Sequence, residues 1–142
     1  MAIPINWWAL LVTTIMSVII GSLWFGPLFG KAWMNALGIS MPETMTPEMK
    51  RRMNWSYFAV TVGALITNFV LLHSIVFGSA YLNISGVAAG FQAAFWNWLG
   101  FVAPVVLGSV LWESRPKKYF WITGGYYLVL LLINGVILSV WR

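Results

Sequence analysis

Residues 53–112 contain no Asp, Glu, Lys or Arg, and only His73 in that stretch can carry a charge. A soluble fold must turn a polar face to water, so it has no use for so long an uncharged run rich in Trp and Phe. A bilayer excludes charge and makes such a run the expected state. The chain is read as an integral membrane protein.

At 142 residues, 61% hydrophobic and 8% charged, there is room for a few spanning helices and no separate soluble domain, so residues 1–142 are expected to form one membrane domain. The net charge of +5 does not point to nucleic acid. The basic residues sit in short clusters beside apolar runs, where they orient the protein and meet anionic headgroups, which makes the bilayer the expected partner. With no Cys there is no disulfide, thiol nucleophile or thiolate metal site. The first apolar segment lacks a basic n-region and a small-residue cleavage pattern, and reads as a retained span.

The fold class is an all-α membrane protein with four transmembrane helices, at about residues 7–25, 55–77, 89–112 and 119–141. Gly26-Pro27 ends the first, because proline cannot donate to the helix ladder and disfavours helix in the residue before it. The segment 78–86 is uncharged and is expected to be a short hairpin loop. Lys31, Lys50, Arg51, Arg52, Arg115, Lys117 and Lys118 are seven of the eight basic residues, and four spans place all seven on one side. That side is expected to be cytoplasmic, with both termini and Arg142 outside. Of the ten tryptophans, Trp24, Trp33, Trp55, Trp112 and Trp121 fall near the inner interface and Trp7, Trp8 and Trp141 near the outer one, as an aromatic belt requires.

The long cytoplasmic connection carries a helix start at Thr46-Pro47-Glu48, with Thr as N-cap, Pro at the first helical position and an acid at the positive end of the dipole. Met41, Met45, Met49 and Met53 recur every fourth residue. Pro42 and Pro47 interrupt that ladder and no His or Cys joins it, so a methionine face against the membrane or a loop is expected rather than a Cu(I) site.

Shifting the chain by 66 residues superposes Arg51-Arg52 on Lys117-Lys118, Trp55 on Trp121 and Asn68 on Asn134, while a shift of 87 superposes Gly21-Ser22 on Gly108-Ser109 and Lys31 on Lys118. Two readings stay open: a tandem duplication of one helical hairpin, related by an axis along the membrane normal, or compositional coincidence.

In the third span Gly86, Gly90, Ala93, Asn97, Gly100, Pro104 and Gly108 recur at steps of three and four. Small residues let backbones approach in lipid, so this stripe is expected to be the central packing seam, with Pro104 kinking the helix; a pore lining is the alternative. Asn68, Asn97 and Asn134 come to a similar depth, and Thr13, Thr14 and Ser17 of the first span reach the same layer. Such side chains must turn toward protein or water. They form either structural glue or a polar pocket open to the outside, with Gln92 and His73 near its mouth. There is no Asp, and Glu43, Glu48 and Glu113 are placed on the side opposite His73, so neither a carboxylate pair nor a His triad can be assembled and no enzyme is expected. Glu113 is expected to pair with Arg115 or with a base of the other inner loop.

Asn6-Trp7 and the run Gly21-Ser22-Leu23-Trp24-Phe25-Gly26-Pro27-Leu28-Phe29-Gly30-Lys31-Ala32-Trp33-Met34 resemble the opening of a bacterial membrane family catalogued as domain of unknown function 1761. Thr46-Pro47-Glu48-Met49 followed by basic residues is similar to its inter-helix segment. Phe25 stands where Tyr is common in the family. The resemblance implies a small four-helix protein of the bacterial inner membrane, and it brings no reaction, ligand or cofactor to transfer. Trp24, Gly26-Pro27, Lys31 and Trp33 read as an interfacial anchor, with a re-entrant or lipid-binding turn over residues 26–33 as the alternative. The expected function is that of a homo-oligomeric transporter, channel or small-molecule-binding subunit. The competing expectation is a structural or interaction subunit that docks a partner through its Met- and Arg-rich cytoplasmic connection; Lys31, Trp33, Arg51, Arg52, Glu113, Arg115, Lys117 and Lys118 are expected at the cytoplasmic interface.

Overall fold

The computed structural model describes residues 5–40, 42 and 44–141. Met41, Glu43 and Arg142, which enter the methionine, acidic and terminal readings, lie outside them. No strand occurs among the described residues, and four helices are long and apolar enough to cross a membrane.

Helix α1 (Trp7–Leu23) starts where the Asn6 side chain accepts from the Trp8 and Ala9 N–H groups, at 3.0 and 3.2 Å, satisfying two donors that the helix cannot. A π turn, Trp24–Leu28, follows, in which Gly26 leaves helical conformation (φ −103°, ψ −106°) beside Pro27. This is the expected Gly-Pro break. Beyond it the chain turns into a short helix that the sequence did not announce, α2 (Gly30–Leu37), which ends on left-handed Gly38. A Cβ on Gly30 would stand 2.5 Å from the Phe25 carbonyl oxygen, so the corner admits only glycine.

Helix α3 (Pro47–Leu82) begins as expected, with the Thr46 hydroxyl accepting from the Met49 N–H at 3.3 Å and Glu48 in the first turn. Its end is a correction. The loop expected over residues 78–86 shrinks to 83–85, because one glycine costs a helix only about 1 kcal/mol and Gly78 alone does not stop it. The stop is Asn83 in the left-handed region (φ 54°).

The third span is α4 (Gly86–Asn97) and α5 (Ala103–Trp112) joined by a π turn, Trp98–Val102. Pro104 has no N–H for the Gly100 carbonyl and its ring crowds it, so the ladder widens just ahead and the Ala103 N–H reaches back to the Trp98 carbonyl. The fourth span is α6 (Lys117–Tyr119), a π turn (Phe120–Gly124) and α7 (Gly125–Val140).

The spans run up, down, up and down, α1 packing on α3 and α4 on α7, and α7 touches all three others. Seven basic residues thereby share one end of the bundle. In the most apolar stretch of the fourth span 56% of residues are buried, against 11% in the third. The fourth span, not the third, is the centre. The expected seam is also half corrected. Gly90 and Ala94 do meet Gly135 of α7, where a Cβ on Gly135 would lie 2.7 Å from the Gly90 carbonyl oxygen, and Ala93 packs partly buried on the core cluster. The π turn then adds one residue to the period and rotates the inward face. Ala103 and Val106 are buried in place of Pro104 and Gly108, and a Cβ on Gly100 or Gly108 would meet open space.

Most large side chains on the outside are apolar, as a lipid-facing surface requires. On α3 this exposure goes all round. Between residues 47 and 67 only Thr61 and Ala64 are even half covered, and the helix joins the bundle core from Asn68 onward.

Candidate functional site

Where α3 enters the bundle, three polar side chains from three spans meet. Asn134 of α7 donates through Nδ2 to Ser17 Oγ and to Asn68 Oδ1, both at 2.9 Å, and Asn68 Nδ2 donates to Ser17 Oγ at 3.3 Å. Ser17 Oγ in turn donates to the Thr13 carbonyl at 2.8 Å. Asn68 and Asn134 are 1% exposed and Ser17 3%, so the triad is a closed cross-brace. Thr13 donates to the Ala9 and Leu10 carbonyls and Thr14 to that of Leu10, each within α1. One acceptor, Asn134 Oδ1, is buried without a partner.

Asn97 does not join this layer. Its Nδ2 donates to the Ala93 carbonyl at 2.8 Å, and Ser74 Oγ of α3 approaches its Oδ1 at 3.5 Å. It lies instead on the wall of a groove of about 410 Å³, formed where α3 diverges from the third span: Ile66, Thr67, Val70 and Leu71 on one side, Asn97, Phe101 and Val102 on the other, Leu131 as floor. Depth was legible from residue counting; the divergence that opens this flank was not. Gln92 is half-buried. His73 is held by its own helix, with Nδ1 2.8 Å from the Phe69 carbonyl and its ring against Phe69 at 4.4 Å.

Two indoles do work that the belt reading missed. Trp24 Nε1 donates to the Ile122 carbonyl at 3.0 Å and Trp98 Nε1 to the Gly124 carbonyl at 2.8 Å. Each indole begins a π turn in its own span, and both acceptors lie in the π turn of the fourth span. A π turn loosens the backbone ladder, and the indoles pair with carbonyls there. The breaks at Pro27 and Pro104 and the pair Gly124-Gly125 were the available signals. Thr123 Oγ1, between the two carbonyls in sequence, is buried without a partner.

At the basic end, Glu113 pairs with Arg115 (3.6 Å) and accepts from Ser109 Oγ (3.3 Å), and the Arg115 guanidinium stands 6.0 Å from the centre of the Tyr119 ring. Of the two partners expected for Glu113, it takes the near one. Trp33 meets Phe25 edge-on at 5.5 Å. Lys31, Arg51, Arg52, Lys117 and Lys118 are exposed, and Arg51 and Arg52 share a cleft with Glu48 and Trp55.

The profile of the family described as "Protein of unknown function (DUF1761)" matches residues 8–139. The chain belongs to that family. No curated protein and no solved structure matches it. The DUF1761 match takes in the Trp24 to Trp33 corner, the triad, the groove and both indole donors. It carries no reaction with it, so function has to be argued from the two polar regions, one sealed and one open to the side.

Proposed function

We propose that the protein is a non-catalytic subunit of the bacterial inner membrane that works as a homo-oligomer and binds an uncharged, membrane-dissolved small molecule in the groove beside Asn97. One observation carries the reading: the first part of α3, residues 47–67, stands exposed on nearly every face. Along it Ser56, Ala59, Gly63 and Thr67 fall on one side. The hydroxyls of Ser56, Thr61 and Thr67 are turned back to carbonyls of their own helix, and a Cβ on Gly63 would touch nothing. Small side chains with satisfied hydroxyls let a second helix approach closely in lipid. The occupant of that face is a second copy.

The groove follows from the same divergence. It has the size and the mostly apolar lining of a small-molecule site, with Asn97 as the fixed polar group. Because Asn97 Nδ2 has two hydrogens and the Ala93 carbonyl takes one, a donor is left for a guest hydroxyl or carbonyl. No formal charge lies in the lining, which favours a neutral guest. The orientation belongs to this reading, with basic end cytoplasmic and termini outside, supported by the positive-inside rule. So does a tandem origin of the two hairpins, supported by Asn68 opposite Asn134; against it, α3 runs unbroken through Trp55 whereas a π turn covers Trp121.

The test uses the absence of native cysteine. Single cysteines at Gly63 and at Ile19 of α1, oxidised in native membranes, are expected to give a cross-linked dimer for Gly63→Cys only. Dimer at neither position, or equally at both, contradicts the reading. Capture of a different protein by Gly63→Cys would favour the interaction subunit, which the exposed Arg51, Arg52 and Met53 of the same helix would then serve.

A further inference from the structure

The basic end is not one patch but two of different construction. Lys50, Arg51 and Arg52 ride on the exposed start of α3, with Glu48 within the same two turns. Lys31, Lys117 and Lys118 sit on a fixed frame. Helix α2 packs against α6, and the corner between them is pinned by the Trp24 to Ile122 hydrogen bond at 3.0 Å and by Tyr126 against Phe25 at 4.9 Å. Lys31 and Asn35 form the exposed face of α2, while Ala32, Trp33, Met34, Ala36 and Leu37 are partly covered.

Among the described residues this second cluster has no counter-charge. The chain has three acids in all. Among the described residues Glu48 lies on α3, and Glu113 is held by Arg115 and Ser109. From these positions we propose that Lys31, Lys117 and Lys118 form a binding site for the phosphodiester headgroup of an anionic phospholipid, held between α2 and the start of the fourth span.

The source of the phosphate is the membrane. Lys117 and Lys118 open the fourth span, and Trp121, 74% exposed, marks the interfacial level immediately beyond them. Lysine near an anionic surface contributes about 1 kcal/mol, or roughly fivefold, and three lysines whose backbones are held by the packing of α2 on α6 need less ordering on binding than the same charges on an unpacked segment. The site goes beyond the small-molecule groove: it lies at the membrane surface, takes a charged ligand, and does not depend on self-association.

Native mass spectrometry of the full chain in detergent, titrated with phosphatidylglycerol, phosphatidylcholine or free glycerol phosphate, tests it. Wild type is expected to retain one phosphatidylglycerol in preference to phosphatidylcholine. Lys31→Gln with Lys117→Gln and Lys118→Gln should reduce that preference about tenfold or more. Arg51→Gln with Arg52→Gln should change it less than about twofold, and the triple Lys→Arg variant should keep it. Should the triple Gln variant fail to fold, Lys31→Gln alone carries the test, with an expected loss of about fivefold. Equal loss in the α3 arginine variant would mean a diffuse field and overturn the site. Undiminished preference without the lysines, or glycerol phosphate binding as well as the lipid, would overturn it too.

Discussion

Asn134 joins three spans through a single amide nitrogen, and its removal is the sharpest test of the cross-brace. Asn134→Leu takes away both bonds and is expected to cost about 1–2 kcal/mol, seen as a lower Tm in detergent. Asn97→Leu should cost less, since the shorter of its bonds is to its own helix; a larger loss at Asn97 would put the brace in the wrong place. Trp98→Phe leaves the Gly124 carbonyl without its indole donor and is expected to lower stability by about 1–3 kcal/mol, while Trp121→Phe, on the exposed surface, should be near neutral. The brace was half legible in the sequence. An amide in hydrocarbon has to face protein, and helical rise gives its depth, so Asn68, Asn134 and Ser17 could be placed in one layer. Asn97 shares the depth but meets the groove, and residue counting says nothing about where a neighbouring helix departs. The indoles were less legible still. A tryptophan has the same local sequence whether its N–H meets the bilayer interface or a carbonyl of a loosened helix.

At the scale of elements, glycine positions separate contact from open space. Gly90→Ala would drive a Cβ into the Gly135 carbonyl and the Ser139 hydroxyl, and with backbone unable to yield it is expected to cost about 1–3 kcal/mol and reduce the monodisperse yield. Gly100→Ala meets nothing and should stay within about 1 kcal/mol of wild type, on the stabilising side. Equal losses would mean that the inward face continues unrotated through the π turn. The capped start at Thr46-Pro47 and the break at Gly26-Pro27 could be read beforehand, because each depends on the chemistry of one or two residues. The rotation at residues 98–102 could not. A stripe counted at the α-helical period assumes that no residue is inserted, and the consequence of Pro104 is an insertion a few positions earlier. The overrun of α3 past Gly78 belongs with these, since a helix ends where a residue adopts the left-handed region and not at the first glycine.

For the whole molecule, four spans, seven basic residues at one end and an apolar exterior follow from hydropathy and charge, and the helix lengths agree with them. The hub was not legible, because burial of the fourth span depends on which helices surround it. Orientation is testable by itself: a reporter fused after Arg142 is expected to score as external, and a cytoplasmic score would invert the proposed topology. Self-association is proposed to take place on the exposed first part of α3. Subunit counting by single-molecule photobleaching, on labelled protein reconstituted at high lipid excess, measures that directly. Wild type is predicted to bleach in two or more steps and Gly63→Trp, which fills the small-residue face, in one. Single-step bleaching of wild type at every dilution, or multiple steps unchanged by Gly63→Trp, would contradict it.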